Sequence, residues 1–301
     1  MLTRIISAAV GIVIIVVTLI LHETLVLPIV VAGIIAIMLF ELLRAVKLEK
    51  CYPILISAEL CGISMPFIYG SFYSWSSVHK EGMHIIQGDL HIPVRVIDGA
   101  ISQIAFGVTL LAAFVIFVTW LNQHKKIRYE QIFFALAAMV LVPHAMTSMI
   151  LIESFDNEHG VFLLTMGLCG AWIADSGAYF SGVALGKHKL CPEISPKKTI
   201  EGLIGGILTT GIVYTVVFSI AGGFSVSKAI FAFVLGAACA VIGTVGDLSA
   251  SMIKRQIGFK DYGKIMPGHG GLMDRFDSVL FVLPTFYVFL IIGDMIGFSL
   301  I

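Results

Sequence analysis

Residues 228–250 read KAIFAFVLGAACAVIGTVGDLSA. Between Lys228 and Asp247 there is no charged side chain. A helix of this length, rising about 1.5 Å per residue, crosses roughly 30 Å of hydrocarbon. Working outward, comparable apolar stretches recur near 5–21, 25–44, 52–70, 101–121, 131–152, 161–186, 202–222 and 276–297. The reading is an all-α, polytopic membrane protein of about nine transmembrane helices. Composition agrees. Hydrophobic residues make up 58% and charged residues 13% of the 301 positions, with a mean hydropathy of +1.00. Soluble domains carry roughly 25% charged residues.

Polar segments between the spans set the expected topology. With a cytoplasmic N-terminus, every Lys and Arg except Lys80, Arg95 and Lys228 falls on the cytoplasmic side of a nine-span chain. That is the positive-inside pattern, and shifting by one span would destroy it. The loop at 153–159 has acids but no Lys or Arg, which fits the outer side. The expected division is an N-terminal transmembrane region, 1–160, with an outer loop near 71–99, and a C-terminal catalytic region, 161–301, in one integrated membrane domain. The N-terminal apolar run lacks a small-x-small cleavage site and reads as a retained span. Five scattered cysteines read as buried small hydrophobes. A formal net charge of zero argues against a nucleic-acid partner.

Chemistry concentrates between the last two spans. Residues 251–277 read SMIKRQIGFKDYGKIMPGHGGLMDRFD, with Asp247 just upstream. Carboxylates for a metal, cations for phosphates and glycines for close backbone approach are the components of phosphoryl or nucleotidyl transfer. Spans eight and nine form an antiparallel pair, so the end carrying Asp247 meets the end carrying Asp274 and Asp277. The last two share a helix face. Asp247 and Asp274 are the candidate metal ligands. Hard oxygen donors without soft ligands favour Mg²⁺ or Mn²⁺. Asp277 reads either as part of that set or as a solvated or capping charge. The Pro-Gly-His-Gly-Gly run from Pro267 to Gly271 makes a tight turn whose N–H groups suit a phosphate. His269 either donates to that phosphate or orders the turn. Lys254, Lys260, Lys264 and Arg275 are available to neutralise a triphosphate.

A second cluster holds Asp175, Ser176 and Tyr179, then Gly182 and Gly186, then Ser195-Pro-Lys197-Lys198-Thr199-Ile-Glu201-Gly202. Asp175 sits about 16 Å inside span six. An acid at that depth is either functional or a costly interhelical hydrogen bond. Gly182 and Gly186 have the spacing of a helix-packing pair. Residues 195–202 read as a capped helix entry carrying two lysines, and lack the Walker pattern.

The run Ser-x-x-Lys-Arg-x4-Lys-Asp-x-Gly-x3-Pro-Gly-His-Gly-Gly-x-x-Asp-Arg-x-Asp, from Ser251 to Asp277, resembles the signature of the phosphatidate cytidylyltransferase (CDP-diglyceride synthase) family. Gly246-Asp247-Leu248 and the segments beginning at Asp175 and Ser195 resemble the same family, so the motifs cover about 170–280. The resemblance implies that CTP and phosphatidic acid give CDP-diacylglycerol and pyrophosphate. It implies Mg²⁺, with a monovalent cation such as K⁺ beside it, and a homodimer in the inner membrane with a site open to cytosol and bilayer. It carries metal ligation to Asp247 and Asp274. The candidate catalytic set is Asp247, Asp274, Lys254, Asp277 and Asp175. The candidate substrate-binding set is Lys197, Lys198, Ser195, Arg255, Lys264, His269, Gly270, Gly271 and Arg275.

Rival classes fit less well. An ion-coupled carrier predicts repeat halves and midplane acids, whereas most motif residues lie at one surface. A membrane scaffold needs no such density of acids and lysines. A CDP-alcohol phosphotransferase would need an Asp-Gly-x-x-Ala-Arg run, of which only Asp98-Gly99-Ala100 occurs. A CTP-dependent polyprenol or phytol kinase is the nearest chemical alternative.

Overall fold

The structure, a computed structural model, describes residues 2–80, 94–268, 270–298 and 300–301. The helices are α1 (Leu2–Ile20), α2 (Val26–Ala45), α3 (Tyr52–Lys80), α4 (Val94–Gln123), α5 (Tyr129–Glu153) and α6 (Gly160–Leu185). A hairpin follows, β1 (Lys189–Cys191) and β2 (Ser195–Thr199). The chain closes with α7 (Ile200–Gly222), α8 (Val226–Ile257), α9 (Met273–Phe276) and α10 (Val279–Met295). Eight segments among the described residues are long and apolar enough to cross a bilayer, α9 and α10 forming one of them. In addition, α1 contributes the apolar stretch Ala9–Ile20. The all-α polytopic membrane architecture is therefore present, with one small antiparallel hairpin added.

Two boundaries differ from the hydropathy reading. Helices α3 and α4 run to Lys80 and from Val94, into the segment expected as a loop near 71–99. The rest of that loop, 81–93, lies outside the described residues. Helix α8 continues beyond Ala250 to Ile257, so Lys254 and Arg255 occupy its last turn instead of a loop. Hydropathy falls where the helix becomes polar, but hydrogen bonding persists until Gly258. That residue takes a left-handed φ of 81°, and Phe259 N–H closes on Lys254 O at 2.9 Å. Glycine adopts this conformation without a Cβ penalty, and terminal cations favour the helix C-terminus.

The chain forms two compact units, Met1–Asn157 with Tyr262–Met273, and Glu158–Asp261 with Asp274–Ile301. In the first, α2, α3, α4 and α5 pack around Leu43, Ile54, Met65, Ile116, Ile132 and Met139. In the second, α6, α7, α8 and α10 surround Tyr214, Phe218 and Phe286. These rings meet edge-on, and the Tyr214 hydroxyl donates to Met166 O at 2.7 Å.

Small residues bring α6 and α7 into backbone contact. A Cβ added at Gly206 would lie 2.8 Å from Ala174 O, and one at Gly202 would lie 2.8 Å from Ala178 O. A Cβ at Gly182 would lie 3.0 Å from the Thr199 hydroxyl and 3.6 Å from Gly202 Cα on α7, in keeping with the helix-packing role expected for it. Gly206→Leu should overpack this seam and destabilise the protein by about 1–3 kcal/mol. Thermal unfolding of purified protein in detergent checks this, and an unchanged midpoint would contradict the close approach.

Candidate active site

The second unit assembles four carboxylates and two lysines from four chain segments. Asp247 and Lys254 lie two helical turns apart on α8, hence on one face. Lys198 on β2 pairs with Asp247 Oδ2 at 2.5 Å. Lys254 Nζ donates to Asp274 Oδ1 at 2.7 Å. Asp277 follows Asp274 by three residues, is buried, and brings its carboxyl within hydrogen-bonding reach of Asp247. The charge of Lys254 also acts on Asp277. Asp175 on α6 feels both Lys198 and Asp247. The whole candidate catalytic set is thereby gathered, although its members are separated by up to about a hundred residues of chain.

The two ion pairs differ in environment. Side-chain exposure is 24% for Lys198 and 27% for Asp247, against 12% for Lys254 and 3% for Asp274. The first pair is open to ligand exchange. The second is largely desolvated and depends on mutual neutralisation.

Local structure explains how Lys198 arrives there. Glu201, one residue into α7, accepts from His188 Nδ1 at 2.6 Å and from the His188 backbone N–H. Ile200 N–H donates to His188 O at 2.9 Å, closing the base of the hairpin. Thr199 caps α7 by accepting from Gly202 N–H at 3.1 Å. This is the capped entry expected at 195–202, reached through a strand. Successive strand residues face opposite ways. Lys198 consequently turns to Asp247 while Lys197 is exposed, and Ser195 stands opposite Cys191 at the hairpin turn. Arg255 and Arg275 are exposed and take no part in the two pairs.

The glycine-rich loop belongs to the first unit. Gly268 and Gly270 adopt left-handed φ values of 80° and 88°, and Met266 N–H donates to Gly270 O at 3.0 Å. This is the tight turn the Pro-Gly-x-Gly-Gly order requires. Lys264 is exposed and Gly271 is buried. His269 lies outside the described residues.

Two residues that sequence reading did not select hold this loop. Glu41 on α2 is 1% exposed and accepts from Leu272 N–H at 3.2 Å and Met273 N–H at 2.9 Å. Arg44 donates through Nη2 to Tyr262 O at 2.6 Å. From the sequence alone, Arg44 reads only as one of the cytoplasmic-side topology charges. The available signal was an acid inside a hydrophobic span, which is costly unless it has a task.

The donor set suits a hard divalent cation. Among the described residues, no group of three His, Cys, Asp or Glu is arranged to hold a metal by itself. Mg²⁺ does not need one, since it binds through one or two carboxylates and completes its shell with water and substrate phosphates. Two carboxyls as close as Asp247 and Asp277 also call for a positive charge between or beside them. Asp247 with Asp274 or Asp277 therefore fits such an ion.

Comparison with known proteins agrees with this chemistry. A protein named phosphatidate cytidylyltransferase from Bacillus subtilis (strain 168) is 32% identical over 258 residues, 85% of this chain and 85% of the relative. One of the same name from Rickettsia bellii is 31% identical over 205 residues, 62% of this chain and 88% of the relative. A third, from Haemophilus influenzae, is 43% identical over 136 residues, 44% of this chain and 47% of the relative. The model of the cytidylyltransferase family matches residues 2–292. Carboxylates, lysines and family match converge, and the chain belongs to the cytidylyltransferase family as a membrane-embedded nucleotidyltransferase.

Proposed function

We propose that the protein transfers CMP from CTP to phosphatidate, forming CDP-diacylglycerol and pyrophosphate at the Asp247 cluster. The observation carrying this reading is the pairing of Lys198 with Asp247 and of Lys254 with Asp274, beside Asp277. The names of the relatives support the same substrates.

In the proposed reaction, a phosphatidate phosphate oxygen attacks the α-phosphorus of CTP. The bond to the β-phosphate bridging oxygen breaks, and pyrophosphate leaves with that electron pair. The phosphate monoester is already largely ionised near neutral pH, so no strong general base is required. The obstacle is repulsion between anions. Mg²⁺, held by Asp247 and Asp274 with Asp277 alongside, would supply charge neutralisation at the reacting phosphates. Lys198 and Lys254 stand next to these acids and are placed to bind phosphate oxygens. Lys197, Arg255 and Arg275 supply further exposed cations of the second unit for the triphosphate and the lipid headgroup. The distribution of Lys and Arg supports a site on the cytoplasmic side of the inner membrane, with acyl chains remaining in the bilayer. A homodimer and an accompanying K⁺ belong to the same reading.

Labelled CTP tests it. Incubation of the purified protein with phosphatidate and Mg²⁺ should move label from the α-phosphate into lipid, and none from the γ-phosphate. Transfer of γ-label instead would make the protein a CTP-dependent lipid kinase. Transfer of neither would refute both.

A further inference from the structure

Glu41 and Arg44 are the charged side chains of α2, three residues apart on one helix face. A carboxylate in an apolar helix is expensive to bury unless hydrogen bonds replace water. Glu41 has such bonds. One oxygen accepts from Leu272 N–H and the other from Met273 N–H, both charge-assisted. Arg44 holds Tyr262 O at the opposite end of the same loop, and its guanidinium lies 5.9 Å from the Phe40 ring centroid. The loop also closes down on the carboxylate. A Cβ at Gly263 would collide with Glu41 Oε1, and a Cβ at Gly271 would collide with both Glu41 oxygens and with Gly263 N. Two glycines of the motif are thus explained by their contact with one acid on a distant helix.

We infer that Glu41, assisted by Arg44, is a positioning residue for nucleotidyl transfer, fixing the path of the glycine-rich loop and the start of α9. Met273 is tied to Glu41, and Asp274 is the next residue in the chain and in the same helical turn. Loss of the Glu41 anchor frees the backbone one peptide bond before a candidate metal ligand. The N-terminal half, which carries no recognisable motif, thereby contributes to the reaction without touching substrate. This rests on the reading under Proposed function.

The test compares full-length wild type with Glu41→Gln, whose amide keeps the shape but presents an NH₂ group to a backbone N–H. Turnover is expressed per CTP-binding site counted by equilibrium dialysis, so that unfolded protein drops out of the figure. Hydrogen exchange of peptides covering 262–273 is measured in parallel. Expected results are turnover per site lower by about 10–100-fold and exchange at Leu272 and Met273 faster by about tenfold or more, with protection in α3 and α5 unchanged. Turnover per site within threefold of wild type would overturn the inference. So would unchanged exchange. If Glu41→Gln does not fold, Gly271→Ala, which presses a methyl group on the same carboxylate, is judged by the same two readouts. Failure of wild type to transfer CMP would remove the proposed function, while the exchange data would still decide whether Glu41 anchors the loop.

Discussion

Asp247→Asn should lower turnover by about 10³-fold or more, the scale set by removing a preorganised electrostatic contributor to charge development. The substitution keeps the volume and removes the charge. It deprives Lys198 of its ion-pair partner and takes away the negative charge beside Asp277. The effect on folding should be small. Both members of the Lys198–Asp247 pair are about a quarter exposed, and partly solvated pairs contribute about 0–1 kcal/mol. Activity and stability should therefore separate. The check is a steady-state assay with the thermal midpoint measured on the same preparation. Turnover within tenfold of wild type, at an unchanged midpoint, would show that Asp247 is not at the reacting centre.

The Lys254–Asp274 pair should behave differently, because its side chains are 12% and 3% exposed. Lys254→Met removes the lysine that neutralises the buried Asp274 carboxylate, an effect of about 3–5 kcal/mol on stability. Adding Asp274→Asn removes the buried charge that Lys254 neutralises and should restore most of that loss. Recovery should be incomplete, since Lys254 also neutralises Asp277. Neither the single nor the double variant should turn over, as both lack groups assigned to phosphate and metal. The measurement is a double-mutant cycle on thermal stability in detergent, accompanied by the CTP assay. A double variant that melts as low as Lys254→Met would contradict the pairing as the source of the effect.

How far the sequence foretold these arrangements varies by element. The spans were legible because burying twenty or so apolar residues in helical form is the solution open to a chain in hydrocarbon. The end of α8 was not, since hydropathy drops at Ser251 whereas the backbone stops only at Gly258. That difference matters, because it places Lys254 on the same helical face as Asp247. The candidate acids were legible as a group from an antiparallel pair of spans. Their pairing with particular lysines was not, because it depends on the hairpin delivering Lys198 while turning Lys197 away. No alternation in Ser195–Thr199 announces a strand. Glu41 is illegible in the sequence for a different reason. Its partners are backbone N–H groups more than two hundred residues away, and backbone donors leave no mark on composition or spacing.

The central claim is that the acids of the second unit hold a divalent cation at the reacting phosphates. Anomalous diffraction from crystals grown with Mn²⁺ and CTP tests it most directly. The expected result is a manganese peak at about 2.1 Å from an Asp247 carboxylate oxygen, with Asp274 or Asp277 and a CTP phosphate oxygen completing the contacts. A manganese ion bound to CTP but coordinated by none of these three aspartates would contradict the account.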